Sequence, residues 1–258
     1  MTDPAGQPVH WPTDAWPLPL AEAGADWDAA AIAWTDVAAV GFAPVPADAA
    51  APGVVRLTRV DDADAWRALV GDPALVAFKL IETRGDLLLD AEIALNTARF
   101  RFAEPPAPGS WPLRAVLAHE LGHALGLGHS CGVDVGLDCA DLAADDARAV
   151  ALMAPRSSPG EARAPGHDDI AGLAALGPNL PTRRPRITRA VGQPTGEWQI
   201  LGAAWAAGDA IRSFAEGDAR QATLDAEGHA ADLGAPPRTL AIWSREGQGA
   251  LVAGEAAG

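Results

Sequence analysis

The chain has no tyrosine. No phenol can therefore serve as ligand, acid or hydrogen-bond donor at any site it builds. Cationic side chains are scarce: 19 Lys and Arg stand against 34 Asp and Glu, a formal net charge of −15. Nucleic acid or anionic lipid would require a cationic surface, so this balance argues against both as partners and reads as a solubilising one. No apolar stretch approaches the roughly 20 uncharged residues that a membrane span needs. The opening segment "MTDPAGQPVHWPTDAW" has neither a basic start nor an apolar core, so it is not a secretory signal. The chain is expected either to stay inside the cell or to be exported by a segment that is no part of this sequence. Only two cysteines occur, Cys131 and Cys139. A disulfide between them would close a short loop and imply an oxidising compartment, hence a secreted or cell-envelope protein. Free thiols and metal ligation are the alternatives.

What is present is a long, apolar chain. Its 258 residues are 49% hydrophobic, enough for one sizeable domain with an appendage or two small domains. Residues 16–20 ("WPLPL") read as a short strand. Residues 26–39 carry Trp27, Ala31, Ile32, Trp34 and Ala38 at helical spacing, with Asp26 as the expected N-cap. "GFAPV" (41–45) and "GVVRLTRV" (53–60) read as strands, and "ADAWRALV" (63–70) as one or two helical turns. "ALVAFKLIE" (74–82) and "DLLLDAEIALN" (86–96) form two more strands joined by a tight turn. Ser110 is expected to cap a helix through "LRAVLAHELGHAL", with Pro112 in its first turn. An acidic loop follows, with at most one short helix at "ADDARAVAL". "HDDIAGLAALG" (167–177) reads as a last helix stopped by Gly177 and Pro178. Residues 178–197, rich in proline and arginine, read as a linker, and 198–258 as a small β-rich extension.

The chemistry concentrates in "LAHELGHALGLGHS" (117–130). His119 and His123 lie four apart on the expected helix, so their rings project from one face and can share one Zn²⁺. Glu120 lies beside them, near enough to hold a water on the metal without ligating it. Gly126 can end the helix in a left-handed conformation, which lets His129 return as third ligand. Three protein ligands leave a fourth position open, as in catalytic rather than structural zinc sites.

The full pattern, H-E-x-x-H-x-x-G-x-x-H, resembles that of the metzincin metallopeptidases. Ser130 after the third histidine, "ALMAP" with Met153 as a Met-turn, and the helix "HDDIAGLAALG" resemble the matrixin branch. The resemblance covers about residues 9–177. It implies an α+β catalytic domain, residues 1–177, with a twisted five-stranded mixed sheet, three helices and a cleft over the zinc. It also implies that substrate lies along the edge strand at Ala77 and Lys79 and against a pocket wall at Pro155, Arg156 and Ser157. Ser157 replaces a tyrosine common in matrixins. With no tyrosine at all, the Tyr ligand or donor of other metzincins is excluded.

The remaining candidates have simpler readings. Asp168 and Asp169 suit the N-terminus of a helix, and the resemblance also implies a bond from Asp169 to the Met-turn. His10, His167 and His229 read as ordinary histidines. Asp134, Asp138, Asp141, Asp145 and Asp146 could offer oxygen atoms to Ca²⁺, but their spacing is not that of an EF-hand, and a solvated loop explains them. Arg183, Arg184, Arg186 and Arg189 read as a solvated linker. The expected protein is a monomeric zinc endopeptidase acting on polypeptides, with Glu120 as general base. The alternative is an inactive zinc-binding scaffold whose C-terminal region does the recognising.

Overall fold

The computed structural model describes residues 1–2, 7–22, 24–38, 40–49, 53–132, 135–155, 158–176, 186–203, 205–244, 247 and 249–257. Along the chain come β1 (Leu18–Leu20), α1 (Ala25–Val37), β2 (Phe42–Pro44), β3 (Val55–Val60), α2 (Ala63–Val70), β4 (Ala77–Arg84), β5 (Leu87–Asn96), β6 (Phe102–Ala103), β7 (Trp111–Pro112), α3 (Leu113–Ala124) and α4 (His167–Leu176). β8 (Arg186–Gly192), β9 (Trp198–Ala203), β10 (Ala210–Ala215), β11 (Asp218–Thr223), β12 (His229–Ala230), β13 (Arg238–Trp243) and β14 (Gly249–Ala256) follow. The fold is of mixed α+β class with a β-rich C-terminal part. It has four α-helices among the described residues: the three that the resemblance implied and α2, where the sequence read one or two helical turns. Asp62 caps α2 by accepting from the Ala65 amide at 2.7 Å, and the helix buries Trp66. The chain divides into two compact units, neither of them a continuous segment: Met1–Ala15 with Ala50–Asn179, and Trp16–Ala49 with Leu180–Gly258.

The first unit holds a mixed sheet. β3 runs parallel to β5, from Val55↔Ala91 to Val60↔Asn96, and β4 runs antiparallel to β5. Val55 and Leu57 alternate inward while Arg56 and Thr58 face the other way, the period of a half-buried strand. Arg56 reaches across to Asp90 at 3.0 Å. β5 contributes Leu88, Ala91, Ile93, Ala94 and Leu95, all buried, and α3 packs against β4 and β5. Two expected caps fall elsewhere. Pro112 occupies the N-cap of α3, and the Ser110 hydroxyl instead closes a turn on the backbone of Ala107. Likewise the N-cap of α1 falls two residues early, at Gly24, with Asp26 inside the first turn. The acidic stretch after α3 forms a 3-10 turn at Cys139–Asp141 and no α-helix among its described residues.

The second unit is built on a seven-stranded sheet ordered β11-β10-β13-β14-β8-β9-β12, antiparallel except at β14–β8. β8 lies inside the stretch read as a linker. Ile187, Thr188 and Val191 are β-branched, and pairing with β9 and β14 overrides Arg186 and Arg189 of the same strand; residues 177–185 lie outside the described set. Trp198, Ile200, Ile211, Leu224, Leu233, Leu240 and Ile242 form the core. Gly254 is required beside Trp198, because a Cβ there would stand 2.4 Å from the indole ring. α1 packs on β13 and β14. A buried arginine joins the two segments of this unit. Arg212 bonds Asp28 at 3.1 Å and the carbonyls of Glu22 and Val45 at 2.6 and 3.0 Å.

Candidate metal centre

The site begins with the end of α3. The helix closes with the Leu127 amide donating to Gly122 and the Gly126 amide to His123, both at 2.9 Å, the pattern of a Schellman cap with glycine at the left-handed position. Gly126 has φ +108, and a Cβ there would lie 2.8 Å from the Val9 carbonyl oxygen. Both conformation and space therefore demand glycine. Beyond this turn the chain brings His129 back toward His119 and His123. One ring nitrogen from each lies within 4.8 Å of the others.

The outer nitrogens are already committed. His119 Nδ1 pairs with the Leu152 carbonyl at 2.7 Å, and His123 Nδ1 with the Leu127 carbonyl at 2.8 Å. A carbonyl can only accept, so both Nδ1 atoms carry the proton and both Nε2 lone pairs are left for a ligand. The Nε2 atoms of His123 and His129 lie 3.3 Å apart. Burial lowers the His119 pKa to about 4 and holds His123 well below its ordinary value. These imidazoles are thus neutral at physiological pH, the form that binds a metal. Three imidazole nitrogens suit Zn²⁺ far better than Ca²⁺ or Mg²⁺, which prefer oxygen.

Glu120 completes the fit. Its carboxyl is buried, and Oε2 has no hydrogen-bond partner. Burial raises its pKa to about 7, against the opposing pull of the Lys79 charge. A buried orphan oxygen is costly unless something polar meets it, and a water held beside the histidines would do so. The donors present therefore fit a zinc with a water.

Beneath the histidines lies a turn held by one acid. The Asp169 carboxylate accepts from the amides of Leu152 and Met153 at 2.9 Å each and of Gly166 at 2.8 Å. Leu152 is thereby gripped at both ends, its N–H by Asp169 and its carbonyl by His119. The Met153 carbonyl in turn accepts from the Ser130 amide at 3.1 Å. Met153 itself is buried. Cys131 and Cys139 form a disulfide just after the third histidine. Arg163, which the sequence did not single out, donates to the carbonyls of Ala149 and Ala151 at 3.2 and 3.0 Å. No motif marks it: besides these backbone atoms it pairs with Glu161, two residues away, at 2.7 Å.

A cavity of about 630 Å³ opens over the histidines. Ala77, Lys79 and Pro155 line it, together with Phe78, Trp111 and Arg163, which sequence reasoning missed. Arg156 and Ser157 lie outside the described residues. Two of the acids weighed for Ca²⁺ have local partners. Asp138 accepts from the Ala140 amide and Asp146 from Arg148, while Asp134 lies outside the described residues. The three histidines are the only metal-competent cluster among the described residues.

Residues 14–135 match the model of the matrixin family. The chain is matrixin-like. The matched span contains His119, Glu120, His123 and His129 and stops before Met153 and Asp169, whose placement comes from the structure. No curated protein matches the chain significantly. The matrixin match and the histidine cluster together support a zinc metallopeptidase in general. No helix among the described residues is long and apolar enough to cross a membrane.

Proposed function

We propose that this matrixin-like protein is a zinc-dependent endopeptidase in which Glu120 is the general base. The observation that carries the reading is the Glu120 carboxyl. It is buried, has one oxygen without a partner, and is raised to about 7 beside three clustered imidazoles. An acid kept near neutrality in a cleft is suited to proton transfer at working pH.

His119, His123 and His129 would hold the metal. When bound, Zn²⁺ supplies a Lewis acid that polarises the scissile carbonyl and lowers the pKa of a coordinated water toward about 7. Glu120 accepts the proton of the attacking water and later delivers it to the leaving amine. The Nδ1–carbonyl bonds fix the tautomer and orientation of His119 and His123, and Asp169 fixes Leu152, to which His119 is tied. β4 is the outer strand of its sheet, so a polypeptide can extend along it by main-chain hydrogen bonds. The disulfide suits an oxidising compartment and supports a secreted or cell-envelope location.

The test is Glu120→Gln, scored on a mixed peptide library with zinc content measured in parallel. An amide cannot take the proton, so turnover should fall by about 10²–10⁴-fold with zinc retained. Near-normal turnover in that variant would remove Glu120 from the mechanism. Absence of chelator-sensitive cleavage by the parent chain would favour a zinc-binding scaffold whose C-terminal β unit recognises a partner.

A further inference from the structure

The turn beneath the histidines has one more tie. The Ala154 amide donates to the Ala151 carbonyl at 3.2 Å, which puts Leu152 and Met153 at the two central positions of a tight turn. Asp169 takes both central amides, and the Leu152 carbonyl faces His119. The first corner is held by Arg163. Its Nη1 donates to the Ala151 carbonyl at 3.0 Å and to the Ala149 carbonyl at 3.2 Å. These two bonds fix the stretch of chain that enters the turn, just before the atom that orients a candidate ligand.

Arg163 belongs to the stretch 158–166, which has neither helix nor strand. Its place therefore depends on single contacts. The Gly160 amide donates to the Ser110 carbonyl at 3.1 Å, and the Gly166 amide to Asp169 at 2.8 Å. Arg163 Nε donates to Glu161 Oε1 at 2.8 Å, and Nη2 lies 2.7 Å from the same oxygen. Ser158, Glu161 and Arg163 all line the cavity. The guanidinium thus joins the cavity wall to the turn that carries Leu152. Its rigid fork of N–H groups can serve a carboxylate and two carbonyls together, which the single ammonium of a lysine cannot do in fixed geometry.

We propose that Arg163 is a positioning residue of the metal centre, acting through the Ala149 and Ala151 carbonyls on the turn that orients His119. This rests on the zinc reading above. Without the two bonds, the entry to the turn loosens, the Leu152 carbonyl loses its fixed place, and the His119 ring loses the partner that aims its Nε2. Groups that hold a metal's ligands typically matter about 10–100-fold in affinity. Arg163 acts one residue further out than Leu152, so the low end, about tenfold, is expected. A purely electrostatic role would have the opposite sign. A cation near a zinc ion repels it, so deleting that charge would tighten binding.

The experiment compares the full chain with Arg163→Met and Arg163→Lys, each shown to be folded by circular dichroism. Zinc affinity is measured by competition with a chromophoric chelator, and the visible absorption spectrum of each Co²⁺-loaded protein reports ligand geometry. Arg163→Met should bind zinc about tenfold more weakly, with an altered Co²⁺ spectrum. Arg163→Lys should fall between parent and Arg163→Met in both measurements, since it keeps the charge and loses the fork. Because Asp169 holds the same turn, Arg163→Met combined with Asp169→Asn should lose less affinity than the product of the single losses. Parent affinity and parent spectrum in Arg163→Met, or in Arg163→Lys should the first not fold, overturn the proposal. So does tighter zinc binding by Arg163→Met, the sign of a charge effect. So does a variant that only raises KM for peptides, since Arg163 would then be part of the wall alone. A parent chain that binds no zinc tightly brings down the zinc reading itself, whereas tight zinc in the parent with unaffected variants brings down only the role of Arg163.

Discussion

The two compact units each bury a carboxyl raised to about 7, Glu120 in one and Asp28 in the other, and they do opposite things with it. Both shifts have the same leading cause, loss of hydration, and both are opposed by a cation. Both acids also have one oxygen without a hydrogen-bond partner. Asp28 is wholly enclosed and bonded to Arg212, whose other donors go to backbone carbonyls and to the side-chain oxygen of Gln221. Glu120 opens onto a cavity beside three clustered imidazoles. A raised pKa therefore does not mark a catalytic group. What marks one is an accessible cavity and a second set of groups that can use the proton.

The sharpest way to break the comparison is to replace both acids by their amides. Glu120→Gln should lose about 10²–10⁴-fold in peptide turnover, and Asp28→Asn should leave kcat unchanged. If Asp28→Asn were as slow as Glu120→Gln at a temperature where it is fully folded, burial alone would have been misread as structure.

Stability should separate them in the reverse sense. Asp28→Asn leaves the Arg212 guanidinium buried without its counter-charge, and breaking such a pair typically costs about 3–5 kcal/mol. Glu120→Gln removes no ion pair from a core. Denaturant titration of the two variants should show a clear loss for Asp28→Asn and little change for Glu120→Gln. Equal losses would mean that Glu120 is as structural as Asp28.

A third acid tests how far the metal centre extends. Asp169 touches no candidate ligand but holds the Leu152 and Met153 amides, and Leu152 holds His119. Partners at this remove typically matter about 10–100-fold in metal affinity. Asp169→Asn, which keeps one acceptor oxygen and loses the other, should weaken zinc binding within that range in a competition titration with a chromophoric chelator. Unchanged affinity would reduce the Met-turn to packing.

How much of this the sequence revealed depends on how local each interaction is. The ligand pattern, the helix that carries it and the glycine that ends it lie within about a dozen residues, and each has its own signal. The pairing of Cys131 with Cys139 was one of several readings, and the structure selects it. Asp169 gave an ambiguous signal, because an acid in the first turn of a helix has a sufficient local explanation. Ser110 misled for the same reason: its hydroxyl had a nearer backbone partner than the helix end. Least visible was the grouping of Trp16–Ala49 with the C-terminal strands. It is fixed by contacts such as Arg212–Asp28, 184 residues apart in sequence, and no periodicity or spacing encodes a pairing of that range. β8 was hidden by its arginines, since its pairing depends on strands far along the chain.

The smallest effect concerns pH. Glu120 in the metal-free fold has its pKa raised from 4.5 to about 7. A raised acid stabilises the fold fully below its unfolded value, and that contribution is lost as pH climbs through the folded one. Gln is neutral at every pH and carries no such loss. Zinc-free Glu120→Gln should therefore gain on zinc-free parent as pH rises from about 4.5 to 7, with a flat difference above that window. Water entering the open cavity reduces the effect below its full linkage value, so a gain of about 1 kcal/mol is expected. The histidines cancel in this comparison, being the same in both proteins. Asp28 is also common to both, so the window reports Glu120 alone. Denaturation curves at pH 5 and pH 8 settle the matter. A difference that does not widen between them would mean that the Glu120 carboxyl keeps its ordinary pKa, and the contrast between the two buried acids would then rest on geometry alone.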